Sequence, residues 1–252
     1  MHSTFYVTPA DGVRLQRTIL ILTGLMYGHF ALAAGQFLPF WTLLLTIPIL
    51  MTRWMLAVHE IFHVCKPPQL DLVTRLLPMA FTPLALGFRE FQNIHFRHHQ
   101  YMCTPDDAEW FQIRGGYLSG FLNAVTSPDQ ALFRWVACRG IDRQLVGTLI
   151  LQSTLFFGLI YLTGWNFLWY WIPARISYGV GSFVFFYMLH RRGKNFGVYA
   201  LQLPAGLARI YALLFGNEAL QVTCHHDLHH ENPRIAGHAL ESASHVINIK
   251  KR

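Results

Sequence analysis

Eight of the 14 histidines fall in three short runs whose spacing suits metal ligation. They are His59 and His63 in HEIFH, His95, His98 and His99 in NIHFRHHQ, and His226, His229 and His230 in CHHDLHHENP. Residues three and four apart share a helix face, so each run projects its imidazoles together. Three such faces can converge on one centre. Eight neutral imidazoles exceed the four ligands of a tetrahedral zinc and suit two metal ions that keep open positions; imidazole serves iron well. A solvated loop, a pH sensor or a tag can explain one run, but not three at helical spacing. HEIFH alone also reads as His-Glu-x-x-His, the zinc metalloprotease pattern, with Glu60 as general base. Membrane proteases of that kind need a further ligand, often from a later Asp-Gly. Here the pair is Asp11-Gly12, ahead of every apolar segment, and two histidine runs stay unexplained.

The elements that position these runs follow from composition. Of 252 residues, 53% are hydrophobic and only 13% charged, which points to a polytopic all-α membrane protein forming one domain over 1–252. The net charge of +7 is scattered between apolar segments, as in HRRGK (190–194) and the terminal IKKR, which suits membrane flanks rather than nucleic acid. Cys65, Cys103, Cys138 and Cys224 form no CxxC pair, so no disulfide framework is expected and a reducing compartment is. No cleavable leader is expected either, since MHSTFYVTPADGVRLQR is mixed and carries Asp11.

Four spans are expected in two hairpins, at about 19–34, 37–58, 145–162 and 167–189. The connecting GQF and TGWN lack Lys and Arg, whereas Arg14, Arg17, Lys66, Arg191, Arg192 and Lys194 flank the other ends. Both termini and all three histidine runs therefore face the cytoplasm. Arg175 falls inside the fourth span, where it should face protein or water. The run 76–88, broken by Pro78, Pro83 and Gly87, is too short to span and reads as re-entrant or interfacial. Residues 198–216 read as an interfacial helix, apolar but interrupted by Pro204 and Gly206.

The order His-x-x-x-His, His-x-x-His-His, His-x-x-His-His over apolar hairpins resembles the membrane fatty acid desaturase and hydroxylase superfamily, across roughly residues 15–245. HEIFH looks like its first box, HFRHH its second and HDLHH its third. The resemblance implies four transmembrane helices under a cytosolic histidine-rich cap with interfacial helices. It implies two non-haem ferrous ions (Fe2+), dioxygen as co-substrate, and electrons from a separate donor such as a ferredoxin or a small haem protein. It also implies a further ligand after the fourth span, a place His190 occupies. Asp106, Asp107 and Glu109 in TPDDAEWF, with Glu60 and Asp227, are candidates to hydrogen-bond the ligand histidines, and His225 adjoins the third box.

The expected activity is desaturation of a fatty acyl or similar lipid-like chain within membrane lipid, with HHENPRIAGHAL similar to the desaturase pattern. Hydroxylation or ketolation, including of carotenoid-type substrates, is the alternative, because the chain is short and MLHRRG is reminiscent of ketolases. The zinc protease stays a remote third reading.

Overall fold

The computed structural model describes residues 5–250 and is almost wholly helical. Lys251 and Arg252, the end of the basic C-terminal run, lie outside the described residues. In chain order the helices are α1 (Pro9–Ala34), α2 (Leu43–Val64), α3 (Leu72–Leu76), α4 (Phe88–Tyr101), α5 (Trp110–Ile113), α6 (Tyr117–Val125) and α7 (Ser127–Arg139). They continue as α8 (Arg143–Thr163), α9 (Leu168–Ser182), α10 (Ala205–Phe215), α11 (Asn217–Cys224), α12 (His226–Glu231) and α13 (Leu240–Lys250). One small antiparallel hairpin, β1 (Arg191–Arg192) with β2 (Asn195–Phe196), follows α9.

The first two long helices outrun the apolar segments that announce them. Thr8 and Asp11 form a reciprocal capping box, and Pro9 occupies the first turn, so α1 starts well before the apolar run at Ile19. Its polar first turns belong to the cap: Arg14 Nη1 donates to Glu218 Oε2 of α11 at 2.6 Å. The second helix likewise continues past Val58 to Val64, and this added stretch carries His59 and His63.

Among the described residues, three stretches are long and apolar enough to cross a membrane: Pro9–Ala34, Phe40–Val64 and Arg143–Met188. The first two match the first two expected spans, while the third and fourth expected spans fall together within the last stretch. That stretch contains α8, a short turn over Gly164–Phe167, and α9, which ends in a π-helical turn over Phe183–Met188. Gly164 closes α8 with φ +56°, a conformation that suits glycine. Both legs then reach one segment. Gln152 and Ser153 of α8 donate to the carbonyls of Leu76 (2.6 Å) and Pro83 (2.5 Å). Tyr170 and Trp171 of α9 donate to those of Met79 (2.9 Å) and Phe81 (2.8 Å). The two helices, joined by this turn, are therefore both fastened to the same segment. Large apolar residues such as Ile150, Phe157, Leu162 and Ile172 stay exposed on these two helices, which suits a candidate membrane span.

The segment between α3 and α4 has no regular structure and is mostly buried. Non-helical backbone at membrane depth survives only where protein satisfies its polar groups. Besides the four donors above, the Tyr27 hydroxyl reaches Pro78 O, and Arg175 Nη1 donates to Phe81 O at 3.1 Å. Leu77 and Ala80 both take φ of 49°, left-handed values that these surrounding donors hold in place. Arg175, the ionisable residue inside the apolar stretch, is buried and also pairs with Asp129 of α7. It faces protein.

Tyr170, Phe88, Met26, Met51 and Ile61 are among the fully enclosed side chains of the main core, and a smaller core of Val222, Leu228, Ile235 and Leu240 closes the cap. The interfacial helix expected over 198–216 is shorter, because Pro204 sets the start of α10. It buries none of its residues and presents Leu207, Ile210 and Leu213 outward. Arg53 of α2 caps its end, with Nε donating to Leu214 O at 2.7 Å.

Candidate metal centre

All three histidine runs lie on helices, as their spacing predicts: the end of α2, the second half of α4, and α12. Gln92 of α4 fastens the first two together, with Nε2 donating to Phe62 O (2.7 Å) and Cys65 O (2.8 Å) at the end of α2. The result sets His95 and His99 against His63. His190 enters from the other direction, just past the π-helical turn, and is wholly buried. Such turns recur at functional sites.

The histidines form two groups. His59, His63, His95, His99 and His229 make one, and His98, His190 and His230 the other; within each, one ligand nitrogen per residue lies within 4.8 Å of all the rest. His226 stands beside the second group, its ring centroid 4.6 Å from that of His230 and 5.1 Å from that of His190. Neither of its nitrogens has a hydrogen-bond partner among the described residues, and the same is true of His229.

Three of these imidazoles have their outer nitrogen engaged, which sets the tautomer. His98 Nδ1 donates to Asp107 Oδ2 at 2.9 Å, His59 Nδ1 to Glu60 Oε1 at 2.9 Å, and His190 Nδ1 to the Phe185 carbonyl at 2.8 Å. Each then turns its Nε2 inward. His98 and His190 Nε2 face each other at 3.1 Å, while the outer nitrogen of each is already engaged. His230 Nε2 is 3.1 Å from His190 Nε2, and His95 Nε2 lies 2.8 Å from His63 and 3.1 Å from His99. Burial holds the pKa values of His95, His99, His190, His226, His229 and His230 far below the ordinary range, with neighbouring imidazoles adding to the effect. They are neutral. Lone pairs that close repel unless a cation lies between them. Two ligands about 2.1 Å from one ion, at right angles, sit about 3.0 Å apart, which matches these separations. The residues present thus fit metal ions, one per group.

The remaining expected residues divide. Glu60 and Asp107 are buried and touch ligand histidines; Asp107 is itself fixed by the Cys103 and Glu109 amides (3.2 and 2.8 Å). Asp106 and Asp227 are exposed at the surface. His225 caps α12 and belongs to neither group. Glu109 accepts from Gln112 Nε2 at 3.2 Å rather than from a histidine. Two contributors had no signal in the sequence pattern. The Phe185 carbonyl is a backbone group within the π turn, and Gln92 is one unremarked amide among several.

An apolar cavity of about 110 Å³ lies against both groups. His59, His95, His98, His226 and His230 form its end, and Trp54, Met55, Phe81, Leu86, Phe185 and Phe186 are among its walls. The arrangement can place a hydrophobic molecule beside both histidine groups. Comparison with known proteins finds no matching family model, no matching curated protein and no matching solved structure.

Proposed function

We propose that the chain is a dioxygen-dependent, non-haem diiron membrane oxidoreductase that desaturates a fatty acyl or similar lipid-like chain. The observation that carries this reading is the pair of imidazoles, His98 and His190, whose Nε2 atoms face each other at 3.1 Å beside an apolar cavity. Nitrogen-only groups of this size suit iron with open positions. Bound there, iron supplies the dioxygen activation that breaking an unactivated C–H bond demands. The chain's own residues orient and exclude. Asp107, Glu60 and the Phe185 carbonyl hold the outer imidazole protons, so that the inner nitrogens stay free for metal. Phe185 and Phe186 wall the cavity against water and align a hydrophobic substrate beneath the histidines.

Several further expectations join this proposal. The α8–α9 hairpin crosses the membrane twice, giving four spans, with the histidine end on the cytoplasmic side. Electrons come from a separate ferredoxin or small haem protein. The zinc protease reading is disfavoured by Glu60, which is turned onto the imidazole next to it on its own helix.

Metal analysis of the purified chain is expected to find about two irons, one per histidine group. Reduced protein given dioxygen and a lipid extract is expected to yield products lighter by a pair of hydrogens. Products heavier by one oxygen atom would replace desaturation with hydroxylation or ketolation. A single zinc with no iron would sink the oxidoreductase.

A further inference from the structure

Two cavities meet at Glu109. One is the apolar cavity under the histidines, whose lining includes no Lys or Arg. The other, of about 240 Å³, has a mixed lining among α4, α5 and α7, with Arg97, Asp107, Gln112 and Arg134 in its walls. Phe91, Glu109 and Tyr178 line both. Three buried polar atoms around the second cavity have no partner: Arg97 Nε, Glu109 Oε2 and Gln112 Oε1. Orphaned polar atoms of this kind are costly to keep, and three around one cavity mark a place for a polar ligand group.

We propose that Glu109 is a specificity-determining residue, the hydrogen-bond partner of an uncharged hydroxyl or carbonyl carried by the hydrophobic substrate. The substrate's apolar body lies under the histidines and its polar group meets Glu109 at the junction with the second cavity. Desolvation, with the Asp107 charge close by, pushes the Glu109 carboxyl well above its usual range, towards its neutral form. A neutral carboxyl both donates and accepts, which suits an alcohol or a ketone equally. Asp107, which adjoins Glu109, disfavours an anionic head at the junction, whereas Arg97 in the wall of the second cavity would favour one, so dodecanoate is the competitor that decides between them. Arg134 and Arg139 are exposed, at the outer side of the second cavity. This inference rests on the reading of the cavity as a substrate site, and it concerns recognition rather than the reaction.

Binding to the purified full chain in detergent micelles tests it, whatever the metal content, so its failure is separate from failure of the iron and product measurements. Dodecane, dodecanol, a dodecanone and dodecanoate would compete against radiolabelled dodecanol. Dodecanol and the ketone are expected to bind roughly tenfold tighter than dodecane, the worth of one good buried hydrogen bond. Glu109→Leu is expected to erase that preference without weakening dodecane, while Glu109→Gln, which still donates and accepts, keeps most of it. The proposal is overturned if dodecane and dodecanol bind the unaltered chain equally, a result that needs no variant. It is also overturned if Glu109→Leu keeps the preference, or if dodecanoate binds tightest.

Discussion

The decisive residue-scale feature is where protons sit. Asp107 holds His98 by its outer nitrogen, so losing that carboxylate frees the ring to turn and to lose its inward lone pair. Asp107→Ala is expected to weaken metal binding by about 10- to 100-fold, the usual range for such supporting partners, as read by metal content after dialysis against a weak chelator. Asp106→Ala, one position away on the surface, is expected to change nothing, and an equal loss there would refute the geometry. Acid acts on the same group of rings. Burial depresses the folded-state pKa of His95, His99, His190, His226, His229 and His230, so the unfolded chain binds more protons below about 6.5. Stability is therefore full above that pH and is lost progressively as pH falls through it. The unfolding midpoint of the metal-free chain in detergent should drop from neutral pH to pH ~5. A flat profile would mean that the histidines are not buried neutral.

At the scale of elements, the non-helical stretch between α3 and α4 is the wedge on which three long helices converge. Its carbonyls are satisfied by Tyr27 of α1, by Gln152 and Ser153 of α8, and by Tyr170, Trp171 and Arg175 of α9. Tyr170 is fully buried, so Tyr170→Phe would strand Met79 O without opening space. A loss of about 1–3 kcal/mol is expected, seen as a lower unfolding midpoint with metal content unchanged. No loss at all would mean that water reaches that carbonyl. The presence of a broken apolar segment was legible from Pro78, Pro83 and Gly87, but its partners were not. Each donor is an ordinary side chain within an apolar run, and only packing shows which one meets which carbonyl.

For the whole molecule, topology decides whether the histidine end and the α8–α9 turn lie on opposite sides of a bilayer. Cys138 is exposed near the end of α7, and Asn166 is exposed in the turn between the hairpin legs. In oriented vesicles carrying single cysteines, a membrane-impermeant thiol reagent is expected to label Cys138 and Asn166→Cys from opposite faces. Labelling from one face would confine the hairpin to one side and remove the fourth crossing. The apolar surface of α8 and α9 together with the buried, hydrogen-bonded wedge favours the first outcome.

The sequence by itself determined the helical class, the apolar stretches and the three histidine faces. Those depend on local periodicity and composition, which a linear chain displays in full. The helix ends were only partly legible, since α1 and α2 run past their apolar segments under capping and cap contacts that hydropathy does not register. Only the tertiary structure decided how the histidines divide into two groups and which carboxylates support them. Asp107 faces inward while Asp106 and Asp227 face out, a difference set by helix rotation and loop path that residue type does not encode. The role of Glu109 as a wall between two cavities belongs to the same class. Enclosure is a property of what surrounds a side chain, and those surroundings come from α4, α7 and α9, elements that meet only once the chain has folded.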